Sequence, residues 1–173
     1  RDAMDARASI RGMQTGVRDL RLAATAADIQ KASEYLVSRL KSVDRFADEM
    51  LKLSRSVENR ARIEKLKARA HDYSKAAQQI AAVRGEAIAA AGGGADGAAR
   101  IAKLNEDVIR IAREVTLPIA VEVEGLANQI GEFAKHAVEE QAAESAREMA
   151  AAERESMALG IGAVLLLIAT SIF

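Results

Sequence analysis

The chain has 173 residues, 25 basic and 25 acidic side chains, one proline and no cysteine or tryptophan. Zero net charge speaks against nucleic acid as a partner, because phosphate binding requires a surplus of Lys and Arg on one face, and the absence of cysteine excludes disulfides and thiolate chemistry. Half the residues are hydrophobic, but Ala supplies much of that share and aromatics only 3%, so thin seams between helices are expected in place of a thick core. The opening "RDAMDARASIRG" is charged from its first residue and does not read as a signal peptide, so any targeting or membrane segment is expected upstream of Arg1.

Ala3, Ala6, Ile10, Met13, Val17, Leu20, Ala24 and Ala27 form an a/d heptad. Continued, it would place Lys31 and Glu34 in the core, so this register ends. A new one begins at Ile29 and runs through Leu36, Val43, Met50 and Val57, with Leu40 and Ala47 between. The step from Ala24 to Ile29 fits no continuous heptad, and Thr25 and Asp28 can each cap a helix start. A helical hairpin over 25–28 follows; the alternative is one long first helix whose apolar face shifts.

A third helix is expected to start near "SRSVENR", where Ser54 or Ser56 can cap, with a seam of Ile63, Leu66, Ala70, Tyr73, Ala77 and Ile80. "AAAGGGADGAAR" stops it, since consecutive glycines do not hold a helix against their backbone entropy, and Asp96 is placed to cap the next one. The fourth seam reads Ile101, Leu104, Val108, Ile111 and Val115, then Ile119, Val123, Leu126, Ile130, Phe133 and Ala137, with a kink expected at Pro118. Strong helix formers after Val138 lead straight into the last stretch.

That stretch, "MALGIGAVLLLIATSIF" at 157–173, carries no charge. At roughly 1.5 Å per residue it covers about 26 Å, a little short of a ~30 Å hydrocarbon core. It is apolar on every face, whereas a surface helix of a small domain needs a polar one. The expected layout is all-α: an elongated antiparallel four-helix bundle over 1–156 whose last helix continues into the start of a C-terminal transmembrane helix at 157–173. A buried core helix or terminal hairpin is the alternative for the tail. Residues 98–156 would span about 88 Å as one helix, far more than the visible first helix. Either the first helix continues upstream of Arg1, the favoured reading, or residues 98–113 form a separate short helix.

The residues "MQTGVRDLRLA" on the first helix, "IEKLKARAHDYSKAAQQI" on the third, "LPIAVEVEGLANQI" on the fourth and the exit into "LGIGAVLLLIA" give the chain a likeness to a known family. Taken over essentially its whole length, it resembles the periplasmic four-helix-bundle sensor domain of bacterial methyl-accepting chemotaxis proteins. The resemblance implies a homodimer in the bacterial inner membrane, with this domain facing the periplasm and a cytoplasmic signalling region following the second membrane helix. Aspartate-type members place three arginines on the first helix after a Gln-Thr pair. Here Gln14 and Thr15 are followed by Gly16 at the first of those places, Arg21 lies at about the second, and Thr25 at the third. Aspartate recognition is therefore not implied; the general layout is.

Arg7, Arg11, Arg18 and Arg21 fall within roughly an 80° sector of the first helix at about 100° per residue, while Asp5 and Asp19 point away from it. Arginine forks bind carboxylates in a bidentate way. Arg18 and Arg21, with Arg11 and Tyr73, are thus the candidate residues for a small organic anion at the dimer contact. The bland reading is a set of solvated or ion-paired arginines and a buried structural tyrosine. Asn105 and Arg110, near the glycine loop, are lesser candidates. No catalytic, metal or cofactor assignment is made. His71 and His136 do not follow a Glu by three residues, Glu132 with His136 supplies two ligands and not a zinc site, and "GGGADGAAR" lacks the Lys-Ser/Thr of a phosphate loop.

The function expected is that of a ligand-sensing input domain of a transmembrane chemoreceptor, not an enzyme, passing a small helix displacement across the membrane. Its partner would be a small organic anion or a periplasmic binding protein. The sensor domain of a histidine kinase or cyclase, or a membrane-anchored bundle without ligand, are the alternatives.

Overall fold

The computed structural model describes the backbone of residues 2–171 and the surroundings of residues 4–154 and 157, Gly92 apart. Every element among them is helical: α1 (Asp2–Leu22), α2 (Ala26–Leu53), α3 (Val57–Ala89), a 3-10 turn (Ala90–Gly92), α4 (Gly94–Ile111), a π-helical turn (Ala112–Thr116) and α5 (Leu117–Ser171). The chain divides into two units, residues 1–132 and residues 133–173. In the second, residues 134–154 are exposed throughout, including Val138 and Met149. Among the described residues no helix is long and apolar enough to cross a membrane. The apolar stretch at 157–173 lies, Met157 apart, outside the residues whose surroundings are described.

Each turn forms where a local signal asks for it. At the first, the Thr25 hydroxyl accepts the Asp28 N–H at 3.1 Å, while the Asp28 carboxylate accepts the Thr25 N–H at 2.9 Å and the Ala24 N–H at 3.2 Å. This reciprocal capping box starts α2 and separates it from α1. The hydrogen bond from the Thr25 side chain, then those from the two backbone amides, hold the Asp28 carboxyl below its ordinary range. At the second turn Ser56 accepts the Asn59 N–H at 3.2 Å, and the Arg60 guanidinium returns to the Leu51 carbonyl at the end of α2. At the third, Gly94 takes a φ of 62°, and a Cβ on Gly97 would stand 2.6 Å from the Ala90 carbonyl oxygen, so both places require glycine. Asp96 does not cap α4 as expected. Gly93 stands at the cap, and Asp96 lies in the first turn, where its charge complements the helix dipole.

Successive helices in the first unit run antiparallel, as their contacts show by descending in one rod while rising in the next. Lys67 pairs with Asp48 and His71 with Asp44 across α2 and α3; Arg84 meets Asn105, and Lys65 meets Glu122, across α3 and the α4–α5 rod. Between α1 and α2 the approach is close because Gly12 and Gly16 offer no side chain. A Cβ on Gly12 would stand 2.7 Å from Arg39 Cδ, and one on Gly16 3.2 Å from Leu36 Cβ. The expected seams fill the core: Ile10, Met13, Val17 and Leu20 of α1, Leu36, Val43 and Ala47 of α2, all six named residues of α3, and Val123, Leu126 and Ile130 of α5.

The seams end at other residues than the heptad pattern predicts. Ala24 and Ala27 are exposed because α1 stops at Leu22, and Ala23 is buried in their stead. Val57 is exposed because it opens α3 and does not continue α2. Phe133 is half-buried and Ala137 exposed, since the packed unit ends at Glu132. The largest departure is before Pro118. Val115 is exposed and Ile111 half-buried, while Ala112 and Thr116 are buried: the seam steps by fours from Val108 to Ala112 and across the π-helical turn to Thr116, where steps of three and then four were expected. Residues 98–113 are not a separate helix: α4, the π turn and α5 follow without an intervening loop.

Candidate ligand groove

α1 presents its arginines toward α3 and the α4–α5 rod, but the packing gives each a different fate. Arg7 is spent on structure. Its Nε donates to the Ala127 carbonyl at 3.4 Å and its Nη2 to the Asn128 carbonyl at 3.2 Å, and it lies across Gly131, where a side chain would collide with it. Arg11 is exposed and lines a recess of only about 20 Å³ beside Arg7 and Glu124. The structure therefore separates Arg11 from the other candidates.

Arg18, Arg21 and Tyr73 do come together. They line one groove of about 480 Å³ with Gln14 and Val17 of α1, and its opposite wall is Ile109, Ala112, Arg113, Thr116, Leu117 and Ala120. Arg18 donates from Nε and Nη2 to Asp19 Oδ1 at 3.2 and 3.1 Å, so Asp19, expected to point away, is its partner. With the two side chains 67% and 46% exposed, that pair is solvent-screened and readily exchanged. The side chains of Arg21 and Arg113 make no hydrogen bond or ion pair among the described residues. Arg113 was not legible as a candidate: its presence at the groove depends on the π turn, which heptad counting does not register.

Tyr73 is 6% exposed. Burial pushes its hydroxyl pKa up to about 12, and the nearby Arg21 charge opposes that shift without reversing it. At neutral pH the hydroxyl is protonated. No described residue hydrogen-bonds it, so within the groove the hydroxyl is a donor near the Arg21 charge. An adjoining groove of about 330 Å³ shares Arg18 and Arg21 and adds Arg84 and Asn105. Those two are committed elsewhere: Arg84 donates to the Ala23 carbonyl and to Asn105 Oδ1, each at 2.7 Å, tying the end of α1 to α4. Arg110 is paired with Asp107 at 2.8 Å.

A groove of equal volume on the α1–α2 side brings Asp19, Asp28 and Lys31 together. Its charge is mixed, and Asp28 is held by the capping box. Of the histidines, His71 stands 3.0 Å from an Asp44 carboxylate oxygen and His136 3.6 Å from Glu139. Among the described residues no group of three His, Cys, Asp or Glu side chains is placed to hold a metal.

The arginine groove supplies charged donors, a neutral phenolic donor and an apolar wall, with no carboxylate among its lining residues. That chemistry suits a small anion carrying an apolar part. No family model matches the chain, and no curated protein or solved structure does.

Proposed function

We propose that the chain is the ligand-sensing input domain of a transmembrane receptor of the chemotaxis type, taking a small organic carboxylate in the groove of Arg18, Arg21, Arg113 and Tyr73. The observation that carries this reading is that three arginines and no carboxylate line one groove of about 480 Å³ in a chain of zero net charge. Arg18 is paired only with the exposed Asp19, and like charges lining one groove repel one another, so an anion between them relieves that repulsion. On this reading the domain works as a homodimer on the periplasmic side of the inner membrane. The α4–α5 rod leads toward an apolar stretch at 157–173 that begins a membrane span, and binding favours one helix packing over another.

The test is a thermal-shift screen of the full chain in detergent against a panel of organic acids, since a ligand raises stability by mass action. A stabilising acid whose effect disappears in Arg21→Ala, with helical content unchanged, is the expected result. A panel without effect, or a hit indifferent to the removal of both Arg18 and Arg21, overturns the groove as the sensing site.

A further inference from the structure

The wall that the α4–α5 rod gives to the groove contains two apolar faces one residue apart. As folded, Ala112 and Thr116 fill the seam, while Ile111 is half-buried and Val115 is 38% exposed. Apolar area alone favours the opposite choice, because Ile and Val bury more carbon than Ala and Thr. The buried Thr116 hydroxyl also needs a partner, which it finds by donating to the Ala112 carbonyl at 2.9 Å. The same carbonyl accepts the Leu117 N–H five residues on, the bond that makes the turn π-helical. Pro118 follows at once, with no N–H to give and a ring that crowds the carbonyl four residues before it. The turn is therefore wide at the place where the α-helical ladder is already interrupted.

Both faces join the flanking seams in helical steps. Val108 leads by fours to Ala112 and Thr116, and on through Ala120 to Val123. It leads equally to Ile111, Val115, Ile119 and Val123, and both Ile119 and Ala120 already pack against the core. We infer that Ile111–Leu117 is a two-register switch, in whose second register Ile111 and Val115 replace Ala112 and Thr116 in the seam and Arg113 leaves the groove. The change is a rotation of this short segment by about 100°, with the extra residue passing downstream of Pro118 and the seams on either side kept. The inference goes beyond the ligand reading, because it concerns the rod's own packing. An anion that touches Arg113 would hold the register seen here, since it binds that register better than the other.

The chain has no cysteine, so a single introduced thiol reports one position. In the full chain in detergent, Val115→Cys should react with a maleimide quickly and Thr116→Cys slowly. Adding Thr116→Lys places a charge where only the second register exposes it. Labelling of Val115→Cys should then slow by about tenfold or more, with the helical circular dichroism unchanged. Fast labelling of a folded double variant overturns the switch. Should Thr116→Lys prevent folding, amide relaxation dispersion on the unsubstituted chain decides: exchange confined to residues 109–123 is expected, and flat profiles across 111–117 overturn the inference.

Discussion

Single side chains decide where this chain turns and how closely its helices approach. Thr25 both accepts and donates at the first turn, so Thr25→Ala should lower unfolding free energy by about 1 kcal/mol in urea titration, with the helical spectrum retained. Gly16 stands where a Cβ would come within 3.2 Å of Leu36 Cβ. Gly16→Leu should therefore cost about 1–3 kcal/mol by overpacking the α1–α2 contact. Gly125 is the contrasting case, because a Cβ there would meet nothing within 4 Å. Gly125→Ala should stabilise by about 0.5–1 kcal/mol through helix propensity alone. If both glycines respond alike in the same titration, close approach is not the reason for Gly16.

At the scale of elements, α3 is the helix that holds the first unit together, touching α1, α2 and α4. Its seam is sealed from solvent, with Ile63, Leu66 and Ile80 fully enclosed. Leu66→Ala should lose about 2–5 kcal/mol, transfer and cavity costs combined. Across α3 and α5, Glu122 accepts from Lys65 at 2.8 Å and Arg69 at 2.9 Å. The hydrogen bond from Lys65, with the charges of Arg69 and Lys65, holds its carboxyl below the ordinary range against a smaller opposing effect of desolvation. A depressed folded pKa means that this stabilisation is complete above the unfolded value and is lost as pH falls through the folded one. The thermal midpoint of the unsubstituted chain should thus decline below about pH 4 more steeply than that of Glu122→Gln. Parallel acid limbs would show that the pair contributes nothing measurable, the ordinary outcome for an isolated surface ion pair.

At the scale of the whole molecule, the proposed membrane span makes its own prediction. Leu166→Arg should impair insertion, since a charge near a helix centre costs about 2.5–3.5 kcal/mol on insertion scales, and the full chain should need detergent for extraction; recovery of the unsubstituted chain in a salt wash counts against the span. The sequence by itself determined the helical class, the three turns and nearly all of the α3 seam. Those features depend on neighbours in the chain, such as the Thr25–Asp28 cap, the glycine run and the three-and-four spacing from Ile63 to Ile80. It also brought Arg18, Arg21 and Tyr73 forward as candidates, and the groove they share accommodates all three. Only the tertiary structure decided that Arg7 would bind the carbonyls of Ala127 and Asn128, that Arg11 would stand apart, and that Arg113 would complete the groove. The physical reason lies in the rod around Pro118. Heptad counting alternates steps of three and four, whereas the seam here runs by successive fours from Val108 through Ala112 and Thr116 before the expected positions resume at Val123, so which face of 111–117 turns inward was settled by packing against the other helices and not by local spacing.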